Sequence, residues 1–224
     1  MNKMNKNVLG ATLAAALSIA AIVPAVAETT TAEASVKWSA TAVKKSDVML
    51  NVFQEGDTSL DMKWNPSTSQ FQMADRALTI QAAGYSDATA YRITAQVTQD
   101  RLDSISAGAK NSLTVGVKLG GIVLGSAPVN ILEGTNGAPA TAADGLKSMN
   151  LASAGANKTP NGSYHQATGV PVKFSIIGGN DATGKAVSVD KLTDLVDDNY
   201  SGNVEVRFVA SWERPVATET KKTT

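Results

Sequence analysis

The residue types that carry hydrolytic and metal chemistry are sparse in this sequence. His165 is the only histidine and cysteine is absent, so thiol nucleophiles, thiolate metal sites and histidine-rich metal sites are excluded. A Ser-His-Asp hydrolase would need a serine and an acid beside His165. That residue lies in a polar segment without a nucleophile-elbow pattern. We interpret it as a solvated loop histidine.

The acidic residues and aromatics suggest three further kinds of site, and none has the pattern it requires. A calcium loop is suggested by Asp190, Asp197, Asp198 and Asn199, but the twelve-residue ligand spacing is missing. A glycosidase carboxylate pair could come from Asp57, Asp61 and Asp75, but nothing in the sequence fixes their separation. A sugar site could be lined by Trp38, Trp64, Tyr85 and Tyr91, for which core or interface packing is the better interpretation. We therefore predict no catalytic residue, no cofactor and no metal.

The first 27 residues have the pattern of a secretory signal. Lys3 and Lys6 precede an apolar run at residues 8–23, and Ala25-Val26-Ala27 ends it with small residues at the two cleavage-determining positions. A membrane anchor is the alternative, but the run is short for a span of ~20 residues. Cleavage after Ala27 removes two of 20 basic and none of 20 acidic residues. The resulting near-neutral chain lacks the basic patch that nucleic-acid binding requires.

After the signal, short stretches with period-two alternation are separated by Gly, Asn, Pro and Ser. They predict strands at residues 48–54, 60–64, 76–82, 90–98, 112–119, 122–124, 172–177 and 203–212. Residues 102–105 and 189–196 are predicted to form helical turns. Residues 133–168 are rich in Gly, Ala, Thr, Ser and Asn, and are expected to form long surface loops that add little to the core. Many short strands and Gly-rich turns predict an all-β chain folded as a single β-sandwich.

Two segments alternate more regularly than the rest. Near the mature start, one face of residues 32–42 is apolar, with Ala32, Ala34, Val36, Trp38, Ala40 and Ala42. Near the end, the apolar face consists of Val204, Val206, Phe208, Ala210 and Trp212. By themselves these patterns are compatible with two ordinary sandwich strands.

Three of these stretches together resemble a known family. Residues 36–42 (VKWSATA), residues 174–179 (FSIIGG) and residues 200–212 (YSGNVEVRFVASW) resemble, in this order, segments of the major pilins of the alternate chaperone–usher fimbriae, the family of the E. coli common pilus. The resemblance covers most of the mature chain. It is weakest at residues 133–168, and the polar residues 213–224 extend beyond it.

The resemblance implies an immunoglobulin-like sandwich that lacks one strand, which the N-terminal strand of the next subunit supplies by donor-strand exchange. It divides the chain into a signal (1–27), a donor extension (28–45), a pilin domain (46–213) and a polar tail (214–224). It also implies identical subunits, a periplasmic chaperone and an outer-membrane usher as partners, and a fimbrium on the bacterial surface. In an isolated chain, residues 32–42 should either project outward or fold back into their own groove.

Two other classes of function stay open at this level. One is a secreted or pilus-tip adhesin that binds a host glycan or protein. A tip subunit needs no donor segment, whereas this chain has an apparent one. The other is a secreted hydrolase, which the scarcity of catalytic residue types disfavours.

Overall fold

The computed structural model of the chain describes residues 28–37, 39–40, 43–45, 48–106, 110–135, 139–159 and 162–215. Its strands, in chain order, are β1 (Glu28–Lys37), β2 (Ser39–Ala40), β3 (Val43–Lys45), β4 (Val48–Glu55), β5 (Trp64–Asn65), β6 (Gln70–Phe71), β7 (Ala74–Ala83), β8 (Ala90–Gln99), β9 (Arg101–Ser104), β10 (Ser112–Leu119), β11 (Ile122–Leu124), β12 (Val129–Thr135), β13 (Pro139–Ala142), β14 (Asn157–Thr159), β15 (Gly162–Asn180), β16 (Ala186–Ser188), β17 (Tyr200–Gly202) and β18 (Glu205–Arg214). A 3₁₀ helix spans Val189–Asp194. Within these segments no helix is long and apolar enough to cross a membrane. The predicted signal and residues 216–224 of the predicted tail lie outside the described residues.

The strands form two large antiparallel sheets and one small hairpin. The six-stranded sheet has the order β13-β12-β8-β18-β1-β2. The ten-stranded sheet follows the path β17-β9-β10-β15-β7-β4-β3, with β11 on β10 and both β14 and β16 on β15. Within the described part of the chain, strands β5 and β6 pair only with each other. The prediction of an all-β fold is confirmed.

The core lies between the two large sheets because alternate residues of their strands face inward. In the six-stranded sheet, Ile93 of β8 and Phe208 of β18 are fully buried. In the ten-stranded sheet, Leu50, Ile80 and Phe174 are fully buried. These side chains belong to one continuous hydrophobic cluster. The period-two patterns of the sequence therefore correspond to a single shared core.

A two-stranded ribbon passes from one sheet to the other at one end of the molecule. In the six-stranded sheet β8 pairs with β18 up to Gln99 opposite Glu205. In the ten-stranded sheet the same two chain segments continue as β9 and β17, with Leu102 opposite Gly202. The register shifts once, between Val206 and Glu205, and beyond that shift both chains advance by three residues between these pairs. Strand β17 is therefore a continuation of β18.

Several local predictions were wrong. Residues 102–105 do not form a helical turn, because Arg101–Ser104 is the ribbon continuation β9. Residues 60–64 are not a strand apart from Trp64 at the start of β5. His165 lies in strand β15 and not in a loop. The predicted helical turn at residues 189–196 is confirmed as the 3₁₀ helix Val189–Asp194.

Residues 133–168 contribute to the core, contrary to the prediction. Consecutive turns are closed by hydrogen bonds from Leu146 N to Ala143 O (2.9 Å) and from Met149 N to Leu146 O (3.0 Å). Ala143, Leu146 and Met149 thus recur every three residues, and all three are buried. Low apolar content concealed this spacing, because composition counts residues without regard to the face on which they lie.

Gly84 lies against the indole ring of Trp212, and a Cβ at this position would overlap that ring. Trp212 is fully buried, so the ring has little room to move. Gly84→Ala should therefore lower the free energy of unfolding by about 1–3 kcal/mol, measured by urea denaturation. Gly125→Ala is the matched control, since nothing lies within 4 Å of its Cβ position. Equal stability of the two variants would contradict this packing.

Candidate functional site

The N-terminal strand β1 is paired along its whole length with β18. Ten consecutive pairs run from Glu28 opposite Arg214 to Lys37 opposite Glu205, with no bulge between them. Opposed residues in an antiparallel pair lie on the same face of the sheet. The pairs whose β18 member is buried are Thr30 with Trp212, Ala32 with Ala210, Ala34 with Phe208 and Val36 with Val206. Two small residues of β1, Thr30 and Ala34, are thus paired with the two largest buried residues of β18.

The structure distributes the six predicted donor residues over two strands. Ala32, Ala34 and Val36 belong to β1, whereas Ala40 belongs to β2. Strand β2 runs back along β1 and places Ala40 opposite Val36. Trp38 and Ala42 lie outside the described residues. The N-terminal segment is therefore extended and lies against its own chain, but its straight course ends at Lys37.

Thr30 is paired with the buried Trp212, a pairing that the sequence pattern did not indicate. Its hydroxyl interrupts the apolar alternation, so the predicted face began at Ala32. The run Thr29-Thr30-Thr31 was the available signal, because β-branched residues favour extended structure.

The apolar face of the closing strand is buried throughout. Exposure is 3% for Val204, 4% for Val206 and 0% for Phe208, Ala210 and Trp212. We use the term β18 groove for the edge of β18 that faces β1, together with these side chains. On its other side, among the described strands, β1 pairs only with β2, over two residues. Removing β1 would expose the backbone of β18 while leaving its pairing with β8 intact.

Arg214 anchors the end of the β18 groove at which β1 begins. Its guanidinium donates hydrogen bonds to both carboxylate oxygens of Asp87, at 3.2 and 3.0 Å. It also stacks over the ring of Tyr85, 4.1 Å from the ring centroid. The hydrogen bond from Arg214 holds the pKa of Asp87 below its usual value. Arg214 falls within the predicted tail, yet it is the last residue of β18.

Three of the residues considered for catalysis, His165, Asp57 and Asp75, are engaged in structural contacts. His165 Nε2 lies 2.9 Å from the carbonyl oxygen of Ser153. Asp57 accepts hydrogen bonds from the backbone and hydroxyl of Ser59, at 2.9 and 3.0 Å. Asp75 lies 4.0 Å from Lys173 Nζ. Across the described part of the chain, no three His, Cys, Asp or Glu side chains are grouped closely enough to hold a metal ion.

Asp198 connects the segment before β17 to the end of β9 by hydrogen bonds. Its carboxylate accepts hydrogen bonds from the hydroxyls of Ser104 and Ser106 (2.9 Å for Ser106) and from the backbone of Asn199 (2.8 Å). These bonds, that from Ser104 above all, lower the pKa of Asp198. The charged form is therefore favoured in the folded state, at the end of the β9–β17 pair that is remote from the bend.

The lowered pKa predicts a pH dependence of stability. The contribution of Asp198 is present above the unfolded carboxyl pKa of about 3.9 and is lost as the pH falls through the lower folded value. The free energy of unfolding of the Asp198→Asn variant should therefore decrease less steeply below about pH 4 than that of the wild type. Urea denaturation at several pH values in this range measures the free energy of unfolding of both proteins. Asp197→Asn matches the change in net charge, and identical slopes for the two variants would contradict the assignment.

The protein consists of two antiparallel sheets, and its first described strand pairs along its whole length with the edge of β18. The described residues form no catalytic centre. The chain belongs to the MatB fimbrillin family, whose model matches residues 31–212. It is accordingly a fimbrial pilin, a structural subunit of a surface fimbrium, and the family indicates no enzymatic role.

Among solved structures, the chain is similar to the CooA pilin subunit from enterotoxigenic Escherichia coli. The two share 12% sequence identity over 72% of this chain and 86% of that one, with a TM-score of 0.42. No curated protein sequence matches the chain.

Proposed function

We propose that this pilin polymerises by strand donation. Strand β1 of one subunit leaves its own β18 groove and occupies that of a neighbouring copy, in the same register. The observation that carries the proposal is the unbroken ten-residue pairing of β1 with β18. Exchange of an identical element between copies preserves the pairing of β1 with β18. Main-chain hydrogen bonds supply affinity, and the core-side positions of β1 supply specificity.

The position of β1 in the chain makes the exchange possible. Strand β1 begins at Glu28, and residues 38–47 separate it from β4, the first long strand of the other sheet. Leaving the groove breaks the pairing with β18 and the two pairs with β2, but no pairing between β18 and β8. The body of the subunit can therefore release and accept a strand without rearranging the rest of its sheets.

Before assembly the β18 groove must be covered, since an open edge beside apolar side chains aggregates. In the proposed pathway residues 1–27 direct export to the periplasm, where a chaperone strand occupies the groove. An outer-membrane usher then catalyses its replacement by β1 of the next subunit. The product is an adhesive fimbrium on the cell surface.

Electron microscopy of cells tests the proposal. Cells that carry the intact gene should display surface filaments. Cells that produce the chain without residues 28–37 should export subunits but show no filaments. The level of subunit in the periplasm, followed by immunoblotting, separates failed assembly from failed folding. Filaments of normal length formed by the shortened chain would rule out strand donation by β1.

A further inference from the structure

In the isolated chain, the straight course of β1 ends because the chain must return to its own body. Strand β3 pairs with β4, with Val43 opposite Leu50, and β4 lies on the far side of the ten-stranded sheet from β17. After Lys37 the chain therefore reverses, and β2 lies back on β1. A strand donated to another subunit has no such constraint, because its body lies outside the acceptor.

The acceptor edge continues beyond the point at which β1 turns away. Strand β17 prolongs β18 in register, and among the described strands it pairs only with β9. Its other edge is thus in line with the β18 groove. Continuing the one-to-one pairing of β1 places Trp38 opposite Val204, Ala40 opposite Gly202 and Ala42 opposite Tyr200. The alternation of residues 32–42, which the closed chain interrupts, then runs unbroken along one edge.

A pocket of about 380 Å³ lies at this position. Its apolar wall is formed by Leu60, Met62, Leu102, Tyr200 and Val204. Val204 is buried, whereas Leu60, Met62, Leu102 and Tyr200 are half-buried and pack against the edge of the core. The space is large enough for an indole ring, and filling it would remove these partly exposed side chains from water.

Charge favours the same occupant. A second pocket beside β17, of about 400 Å³, contains Asp61, Asp198 and one basic residue, Lys63, in its lining. Asp197 is exposed next to it, so acidic residues outnumber basic ones at this rim. A strand extended to Ala42 would bring Lys44 and Lys45 of the donor to this acidic rim. The chain offers no other basic pair so close behind an alternating apolar segment. These attractions would weaken with salt.

We propose that the donated strand is longer in the fimbrium than β1 is in the isolated chain. It extends through Ala42 along β17, and Trp38 of the donor fills the pocket lined by Leu60, Met62, Leu102 and Tyr200 of the acceptor. This inference rests on the proposed strand donation and gives it a driving force. The pairing of residues 28–37 with the β18 groove is the same in the closed and exchanged forms, and the extended strand gives up the two pairs between β1 and β2. Contacts unique to the exchanged form must therefore favour polymerisation.

Disulfide trapping in fibres of the full chain tests both the strand donation and its extension along β17. Because the wild type has no cysteine, every disulfide must come from an introduced pair. The pair Glu33→Cys with Val209→Cys detects β1 in the β18 groove, because these residues are opposed there. The pair Thr41→Cys with Ser201→Cys reports the extension, and Ser201 is exposed and outside the core. The two pairs are eight residues apart along the donor, so they have the same place in the hydrogen-bonding pattern. After mild oxidation, both should give a ladder of covalent multimers on non-reducing gels.

The outcomes separate the two claims. A ladder from the groove pair alone would overturn the extension and leave strand donation intact. Covalently closed monomers from the groove pair would overturn strand donation itself. As a second measurement, Trp38→Ala fibres should dissociate in denaturant about tenfold or more faster than the wild type, since a large apolar contact is lost. Ser39→Ala is the matched control on the opposite face, and equal rates for the two variants would also overturn the extension.

Discussion

Replacing Ala34 with aspartate should abolish fimbrial assembly. Ala34 pairs with Phe208, which is fully buried, so a carboxylate at this position would enter the core without a partner. Burying such a charge costs several kcal/mol, which corresponds to a loss of strand affinity of about a thousandfold or more. Electron microscopy of cells and sedimentation of sheared material should both show no filaments.

The neighbouring position provides a control with the same charge. Ser35 pairs with Arg207, on the opposite face of the sheet, so an added carboxylate would lie outside the core. Ser35→Asp subunits should therefore assemble into filaments of normal length. Equal assembly of the Ala34 and Ser35 variants would mean that the core side of β1 does not enter a groove. Failure of both would indicate that net charge and not burial controls assembly.

Moving β1 to the other end of the chain should give a stable monomer that cannot polymerise. Because Glu28 lies opposite Arg214, a second copy of residues 28–37 can follow Arg214 through a short hairpin turn. The original residues 28–45 are removed from this variant. The grafted strand fills the groove at a millimolar or higher effective concentration, and no free N-terminal strand is left to donate. Its melting temperature should lie well above that of a chain that lacks both copies.

Two measurements check this result. Light scattering should show a monomer for the grafted variant under conditions in which the wild type forms fibres. Thermal unfolding followed by circular dichroism should show the difference in melting temperature. A grafted strand carrying Ala34→Asp is the matched control, and it should melt like the chain that lacks both copies. If the grafted variant and the chain that lacks both copies melt at the same temperature, β18 needs no partner strand and the sandwich is complete without β1.

Local sequence patterns predicted most strands because alternation is a property of consecutive residues. Strands β10 and β11 have the predicted bounds, residues 112–119 and 122–124. Their turn, Gly120-Gly121, requires positive φ at both residues, which glycine adopts at little cost. Where the apolar spacing was three and not two, as at Ala143, Leu146 and Met149, the prediction of a surface loop was wrong.

The candidate site was predictable in part. Alternation predicted that residues near Ala32, Ala34 and Val36 and residues near Phe208 are extended, and they are. That these two segments pair in one sheet was implied only by the family resemblance, since pairing joins opposite ends of the chain and leaves no local trace. The donation of β1 to a second subunit stays a prediction for the experiments above.

By itself, the sequence determined an all-β protein with an apolar alternating segment near each end, because period and composition act through neighbouring residues. Only the tertiary structure decided that β1 ends at Lys37 and that β17 prolongs β18. The first follows from the pairing of Val43 with Leu50, which forces the chain to turn. The second follows from the ribbon that changes sheets between Gln99 and Leu102. Both are decided by contacts between distant strands, whose geometry depends on how the two sheets pack together.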